Sequence, residues 1–357
     1  MKIEAGYDIA FDCVQEVPLI LMLSVHPSRQ PDLLSEHKIS FSPNVASRNY
    51  VDVFGNVCTR LVAPAGPFEI RNRFIIADSG QPDEVAPCAE QWEIDRLPDD
   101  ALIYLVGSRY CDTQKLSNLA WSVFAHISAG WQRGQAICDY VHDRIEFGYH
   151  HARCDRTAAE GHEERIGVCR DFAHLAITLC RCMNIPARYC TGYLGDIGVP
   201  RDPAPMDFSA LFEVLLDGRW YTFDARHNHP RIGRVVIGRG RDAADVAIST
   251  AFGPAQLKRF SVITEELRGD VLSNALARGL FVPRHERLIH SNAAFVAETL
   301  VNRRAFVAAR VRHQRPAKPS LRTIFLWRSA LVLHARHHTN FGGHDSALLG
   351  PTGACAL

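Results

Sequence analysis

The stretch "GVCRDFAHLAITLCRCMNIP", Gly167 to Pro186, places a cysteine where a helix is expected to begin. After Cys169, apolar residues recur at intervals of three and four, which is the period of a helix. Asn184 and Pro186 are residue types that end such a pattern. Gly167 allows a tight backbone turn just before the cysteine. The sequence therefore predicts a helix that begins at Cys169.

A cysteine at the N-terminus of a helix is a candidate nucleophile. The free amides and the helix dipole favour a thiolate there, so we expect a lowered pKa for Cys169. The same amides are suited to holding an oxyanion. We expect Cys180, Cys182 and Cys190 to pack in the core instead. A catalytic thiol also needs a base, which must come from elsewhere in the chain.

The downstream segment "DFSALFEVLLDGRWYTFDARHN", residues 207–228, predicts a β-hairpin. Its Asp-Gly dipeptide at 217–218 is a strong signal for a two-residue turn between two strand-like runs. A turn at that point places Phe223 opposite Phe212. Moving away from the turn, each following residue of the second strand pairs with the preceding residue of the first strand.

Polar side chains lie on one face of this predicted hairpin. Because side chains alternate along a strand, Ser209 and Asp224 are expected to project from the same face, one diagonal step apart. A helix-start cysteine facing two neighbouring polar strand positions has the layout of a cysteine, base and orienting-residue triad.

The segments "GVCRDFAHL" and "GRWYTFD", in this order, resemble the transglutaminase-like superfamily within the papain-like cysteine enzymes. The resemblance covers roughly residues 98–267. It implies an α+β fold in which the helix bearing the cysteine packs on an antiparallel sheet. It also implies a cysteine protease or amidase that acts on a peptide or protein substrate through a Cys169 thiolate and an acyl-enzyme. We expect hydrolysis rather than transamidation, because water is the default acceptor.

The family triad of Cys, His and Asp falls on Cys169, position 209 and Asp224. This chain has Ser209 at the histidine position, and a hydroxyl cannot act as a base near pH 7. The alternative is therefore an altered or non-catalytic domain that binds peptides or proteins. His227 is the first candidate for a substitute base because it is near Asp224. Strand alternation places it on the opposite face unless the chain bends after Asp224.

Other polar residues near these motifs receive structural interpretations. His174 lies about 140° round the helix from Cys169 and is expected to pack inward. His150 and His151 are weaker candidates for the base, and they begin a polar stretch, 150–167, that we predict as a loop. The basic run between Arg226 and Arg241 is interpreted as a solvated face.

Residues 1–97 contain several short alternating runs separated by polar turns. This pattern predicts a β-sandwich-like N-terminal domain. The region is similar to the N-terminal β domain found in a bacterial branch of the same family. No catalytic constellation occurs in it, so we expect the chemistry to lie in residues 98–267.

The last part of the chain differs from the rest in charge. Residues 271–357 contain 12 Lys and Arg against 3 Asp and Glu, whereas residues 1–270 contain 28 against 36. We predict that residues 268–357 form a basic, Arg- and His-rich, weakly ordered tail. No recognition motif accompanies the charge, so binding of nucleic acid by the tail is not expected.

The composition, 47% hydrophobic and 22% charged, is typical of a globular protein. The longest apolar run, Val17 to Val25, is too short to span a membrane. No export signal is recognisable, so we expect a cytoplasmic protein whose eleven cysteines are reduced. No metal-ligand pattern is complete, and we therefore predict no metal or cofactor. The oligomeric state is not predicted.

Overall fold

A computed structural model describes residues 1–267 of the chain. The predicted tail, residues 268–357, lies outside the described residues. The described part combines antiparallel sheets with helices, so the α+β class is confirmed.

The secondary structure follows the chain in this order. The strands are β1 (Lys2–Cys13), β2 (Val17–Leu21), β3 (Ser40–Ser42), β4 (Ser47–Val51), β5 (Val57–Ala63), β6 (Gly66–Ala77), β7 (Glu146–Phe147), β8 (Ile166–Gly167), β9 (Ala187–Tyr193), β10 (Ser209–Leu216), β11 (Arg219–Phe223), β12 (Val235–Gly240), β13 (Ser249–Ala251) and β14 (Ala255–Glu266). The helices are α1 (Thr113–Phe124), α2 (Trp131–Arg144), α3 (Ala158–Glu164) and α4 (Cys169–Cys182).

Within the described part, two four-stranded sheets contain the N-terminal strands, with the orders β14-β1-β6-β3 and β13-β2-β5-β4. The predicted β-rich N-terminal region is therefore confirmed. β13 and β14 come from the end of the described chain and pair antiparallel with β2 and β1. These two strand pairs join the beginning of the chain to the end of the described part. The division of the chain at residues 97 and 267 stays a prediction.

The third four-stranded sheet, with the order β11-β10-β9-β12, supports α4. As predicted, α4 begins at Cys169 and is followed by strand β9. It packs against the other three helices and against β9 and β10. Every residue of α4 after Cys169 is buried, including five polar or charged ones: Arg170, Asp171, His174, Thr178 and Arg181. The helix is thus central, and the buried positions predicted for Cys180, Cys182 and Cys190 are confirmed.

The predicted hairpin forms with the predicted register. Phe212 lies opposite Phe223, and the turn residues Asp217 and Gly218 both have positive φ, 49° and 72°. Such a turn matches the twist of the flanking strands. The ladder ends at Phe223, so the chain is free to change direction at the next residue.

The predicted loop at 150–167 is wrong in part, because it contains α3. The Thr157 hydroxyl accepts a hydrogen bond from the Glu160 amide at 3.4 Å, and the Glu160 carboxylate accepts one from the Thr157 amide at 2.9 Å. This reciprocal capping box has the signature T-x-x-E. The polar character of the stretch hid a helix start that the sequence does contain.

Candidate functional site

The start of α4 is fixed by a buried aspartate. Asp171 accepts hydrogen bonds from the Val168 amide at 2.9 Å and from the Arg156 guanidinium at 3.0 Å. The backbone at Gly167 passes so close that an added Cβ would lie 2.7 Å from the Asp171 Cβ. This packing explains the glycine before the cysteine and holds Cys169 at the first helical position.

Cys169 is partly buried and lines a small cavity. Tyr149, Tyr189, Asp207 and Ala210 are among the other residues around it. Its free volume is about 20 Å³, roughly the space that one water molecule needs. The thiol therefore faces a confined space in this conformation.

The expected lowering of the Cys169 pKa is wrong. Burial raises the pKa of this thiol, because the enclosing protein removes water that would solvate the thiolate. The Arg226 guanidinium and a hydrogen bond from the Ala210 backbone lower it, whereas the Asp207 and Asp224 carboxylates raise it. Arg226 and the Ala210 hydrogen bond do not outweigh this enclosure.

Asp224 is buried and accepts four hydrogen bonds. One carboxylate oxygen accepts the backbone amides of Arg226 and His227, both at 3.1 Å. The other lies 2.8 Å from His227 Nδ1 and 2.8 Å from Arg234 Nη2. Burial opposes ionisation of Asp224, but Arg234 and His227 outweigh it and hold its pKa well below the usual range.

The structure brings His227 to Asp224 although the two are three residues apart. β11 ends at Phe223, and the Asn228 amide donates to the Asp224 carbonyl at 2.8 Å, which closes a turn. Strand alternation therefore stops applying at this point, and the bend that the sequence analysis required is present. A proton on Nδ1 would point at the carboxylate and leave Nε2 of His227 as the acceptor.

Arg234 connects this pair to the N-terminal region. Its Nε donates to both Asp83 oxygens, at 2.8 and 3.0 Å, while its Nη2 donates to Asp224. Asp83 also accepts the Arg231 amide at 2.9 Å. Arg231 and Arg234 are buried, so the interpretation of this basic run as a solvated face is wrong for both.

Ser209 lies on β10 opposite Gly192 and is buried. Among the described residues, its hydroxyl has no hydrogen-bond partner. An unsatisfied buried hydroxyl is costly and contributes no base. The position that the family resemblance assigned to histidine thus carries a hydroxyl, which is no base near pH 7.

The remaining histidines occupy other surroundings. As expected, His174 packs inward, where it stacks on Tyr110 with ring centroids 5.0 Å apart and accepts the Ala243 amide at 3.1 Å. Burial lowers the pKa of His174 well below its usual value, which keeps the ring neutral. The rings of His150 and His151 lie 3.8 Å apart in a short turn after Tyr149.

Sequence reasoning missed Asp207, Asp83 and Arg234. Asp207 lies two residues before Ser209, so strand alternation offered a signal for it on the same face. Asp83 comes from a loop more than one hundred residues away, and no local pattern links it to Asp224.

In residues 1–267 no group of three or more His, Cys, Asp or Glu side chains is arranged to hold a metal ion. No helix in this part is long and apolar enough to cross a membrane.

Comparison with known proteins agrees with this architecture. Residues 118–225 match the family model of the transglutaminase-like superfamily. The crystal structure of a "Putative Cysteine Protease" from Cytophaga hutchinsonii superposes with a TM-score of 0.64 and 30% identity, covering 76% of this chain and 92% of that one. The chain belongs to the transglutaminase-like superfamily.

A curated relative, the uncharacterized protein ML0607 of Mycobacterium leprae, is 34% identical over 87 residues. These residues make up 23% of this chain and 30% of the relative. The match thus spans less than a third of the length of that relative.

Proposed function

We propose that this protein is a cysteine protease or amidase that cleaves peptide or amide bonds through Cys169. The observation that carries the proposal is the Asp224–His227 pair, joined at 2.8 Å. Asp224 is close enough to Cys169 for its charge to affect the thiol pKa. A histidine oriented by a buried carboxylate near a helix-start cysteine supplies the groups that nucleophilic catalysis needs.

In the proposed reaction, Asp224 fixes the His227 ring and His227 accepts the Cys169 proton. The sulfur then attacks the carbonyl carbon, a C–S bond forms, and the C–N bond breaks as the amine leaves with a proton. Free amides at the start of α4 stabilise the developing oxyanion. Water, the default acceptor, then hydrolyses the thioester.

We further propose that this reaction takes place in the cytoplasm on a peptide or protein substrate. Nine cysteines of the described part, Cys169 among them, are free thiols, which suits a reducing compartment. Cell fractionation followed by immunoblotting tests this placement. Recovery of the protein in the periplasmic or secreted fraction would contradict it.

Acylation with p-nitrophenyl acetate tests the nucleophile. We expect a burst of p-nitrophenol, an acetyl group on Cys169 by mass spectrometry, and slow release of acetate. Cys169→Ala should lose the burst, while Cys88→Ala, which removes an exposed thiol, should keep it. Equal labelling of Cys88 and Cys169, or a burst that survives Cys169→Ala, would sink the proposal.

The second candidate is a non-catalytic domain that binds peptides or proteins. The confined cavity, the raised pKa of Cys169 and the unsatisfied Ser209 hydroxyl favour it. It predicts that native protein and Cys169→Ala bind the same peptides with the same affinity and that neither cleaves them. Turnover by the native protein alone would exclude this candidate.

A further inference from the structure

The loop before β10 places the Asp207 carboxyl group at the cavity of Cys169. Asp207 and Cys169 both line this space of about 20 Å³. One Asp207 oxygen accepts the Phe208 amide at 2.7 Å. The cavity has roughly the room for one water, which allows proton transfer directly or through that water. Asp207 and the Cys169 thiol thus share one confined cavity.

We propose that Asp207 is the acid that protonates the departing amine when Cys169 cleaves an amide. This inference rests on the proposed function, and it adds a group that the Cys, His and Asp triad does not contain. In the proposal, His227 takes the thiol proton and Asp207 gives a different proton to the amine. The two roles are therefore separable by experiment.

Charged and titratable groups face Asp207 from several elements. Helix α4 contributes Cys169 and Arg170, and β9 contributes Tyr189. Tyr149 comes from the short turn at Tyr149–His151, and Arg226 from the turn after β11. Burial raises the pKa of Asp207 to about 7, although the Phe208 amide and Arg226 act in the opposite direction. A carboxyl group in this state carries a proton in a large fraction of molecules at neutral pH.

The proton balance of the proposed cycle closes. During acylation the thiol proton moves to His227, the C–S bond forms, the C–N bond breaks and the Asp207 proton moves to the amine nitrogen. During deacylation the Asp207 carboxylate takes a proton from water, and the resulting hydroxide attacks the thioester. The C–S bond then breaks and the sulfur recovers its proton from His227. Every group returns to its starting state.

The dependence on the leaving group tests the acid role. An amine needs a proton to depart, whereas p-nitrophenolate does not. At pH 6, Asp207→Asn should therefore slow acylation of Cys169 by a peptide amide by about 100-fold or more, and should change the burst of p-nitrophenol from p-nitrophenyl acetate by less than about 3-fold. Asp202→Asn, which removes a charge from the exposed part of the same loop, is the matched control and should change neither rate.

Alkylation of Cys169 by iodoacetamide gives a readout that needs no turnover. The ionised Asp207 raises the pKa of Cys169, so its removal should favour the thiolate. At pH 8 we expect Asp207→Asn to be alkylated roughly 3- to 10-fold faster than the native protein. Below pH 6, where Asp207 is mainly protonated in the native protein, the two rates should converge. The proposal thus predicts that Asp207→Asn speeds alkylation and slows amide cleavage. A structural defect would be expected to slow both reactions.

The outcomes separate the two proposals. Equal slowing of acylation by the amide and by the ester in Asp207→Asn, or alkylation curves that coincide at all pH values, would overturn the acid role and leave Cys169 as nucleophile. Loss of Cys169 acylation in the native protein would overturn the proposed function. In that case the alkylation curves still decide whether Asp207 and Cys169 titrate together, and coinciding curves would reject their coupling.

Discussion

The two sides of the candidate site treat charge in different ways. On the Asp224 side, the carboxylate has partners for both oxygens, and its cation Arg234 is held by a second carboxylate, Asp83. On the Cys169 side, burial raises the pKa of the thiol, and the Ser209 hydroxyl on β10 has no partner among the described residues. One side is stabilised in its charged form, and the other is held neutral.

This difference teaches that a buried charge is maintained by its partners and not by its position. Asp224 stays ionised because Arg234 and His227 offset the cost of burial. Cys169 lies at the N-terminus of a helix, yet burial raises the pKa of its thiol by more than the Arg226 guanidinium and the Ala210 hydrogen bond lower it. A proton acceptor is therefore needed at the thiol before it can attack.

The largest expected effect comes from removing the cation between the two carboxylates. Arg234→Met leaves Asp83 and Asp224 without their shared partner, and we expect a loss of about 3–5 kcal/mol in the free energy of unfolding. Urea denaturation measures this change. Arg219→Met is the control, since its ion pair with Glu84 is exposed and contributes at most about 1 kcal/mol. Equal losses for both variants would contradict the difference between the two sides.

The pH dependence of stability sharpens the comparison on the Asp224 side. Because the folded-state pKa of Asp224 is depressed, its contribution is present above the unfolded pKa of about 4 and is lost as the pH falls. Asp224→Asn should therefore be strongly destabilised at pH 7, by about 2–4 kcal/mol. The gap to the native protein should narrow at pH 3. A constant gap from pH 7 to pH 3 is the contrary result.

The other side should respond to pH with the opposite sign. The pKa of Asp207 is raised to about 7, so the folded state holds this proton more tightly than the unfolded state between about pH 4 and 7. Stability from the protonated group is present below about pH 4 and is lost as the pH rises to 7. We expect Asp207→Asn to gain about 1 kcal/mol or more relative to the native protein from pH 4 to pH 8. Thermal unfolding at the two pH values checks this, and no relative gain would contradict it.

The smallest expected effect is at Ser209. Its hydroxyl has no hydrogen-bond partner among the described residues, so Ser209→Ala removes a polar group without breaking a bond. We expect a change within about 0.5 kcal/mol or a slight stabilisation. Thr178→Ala is a matched control, because its buried hydroxyl donates to the His174 carbonyl at 2.7 Å and its loss should cost about 1 kcal/mol. A larger loss at Ser209 than at Thr178 would show that the serine has a partner.

Local patterns were enough to predict the central parts of the fold. The helical period after Cys169 and the Asp-Gly turn each act over a few residues, and both gave the right element and the right hairpin register. The T-x-x-E signal at Thr157 was equally local but was overlooked in a polar stretch.

Contacts between distant segments could not be predicted in the same way. Asp83 reaches Arg234 across 151 positions of the chain, and this ion pair explains why the Arg234 side chain can be buried. The raised pKa of Cys169 likewise depends on how several segments enclose the thiol. The sequence suggested His227 as a substitute base, but its contact with Asp224 depends on where β11 ends.

The most direct test of the proposed function is the burst of p-nitrophenol from p-nitrophenyl acetate in the native protein and in His227→Asn, read together with the mass of the acetylated peptide. If His227 accepts the thiol proton, His227→Asn should slow acetylation of Cys169 by about 10²- to 10⁴-fold at pH 7. The slower rate should recover as the pH rises above the pKa of a free thiol, near 8.5. His229→Asn, which alters a neighbouring exposed histidine, should behave like the native protein. Equal acetylation rates in native protein and His227→Asn at pH 7 would contradict the account.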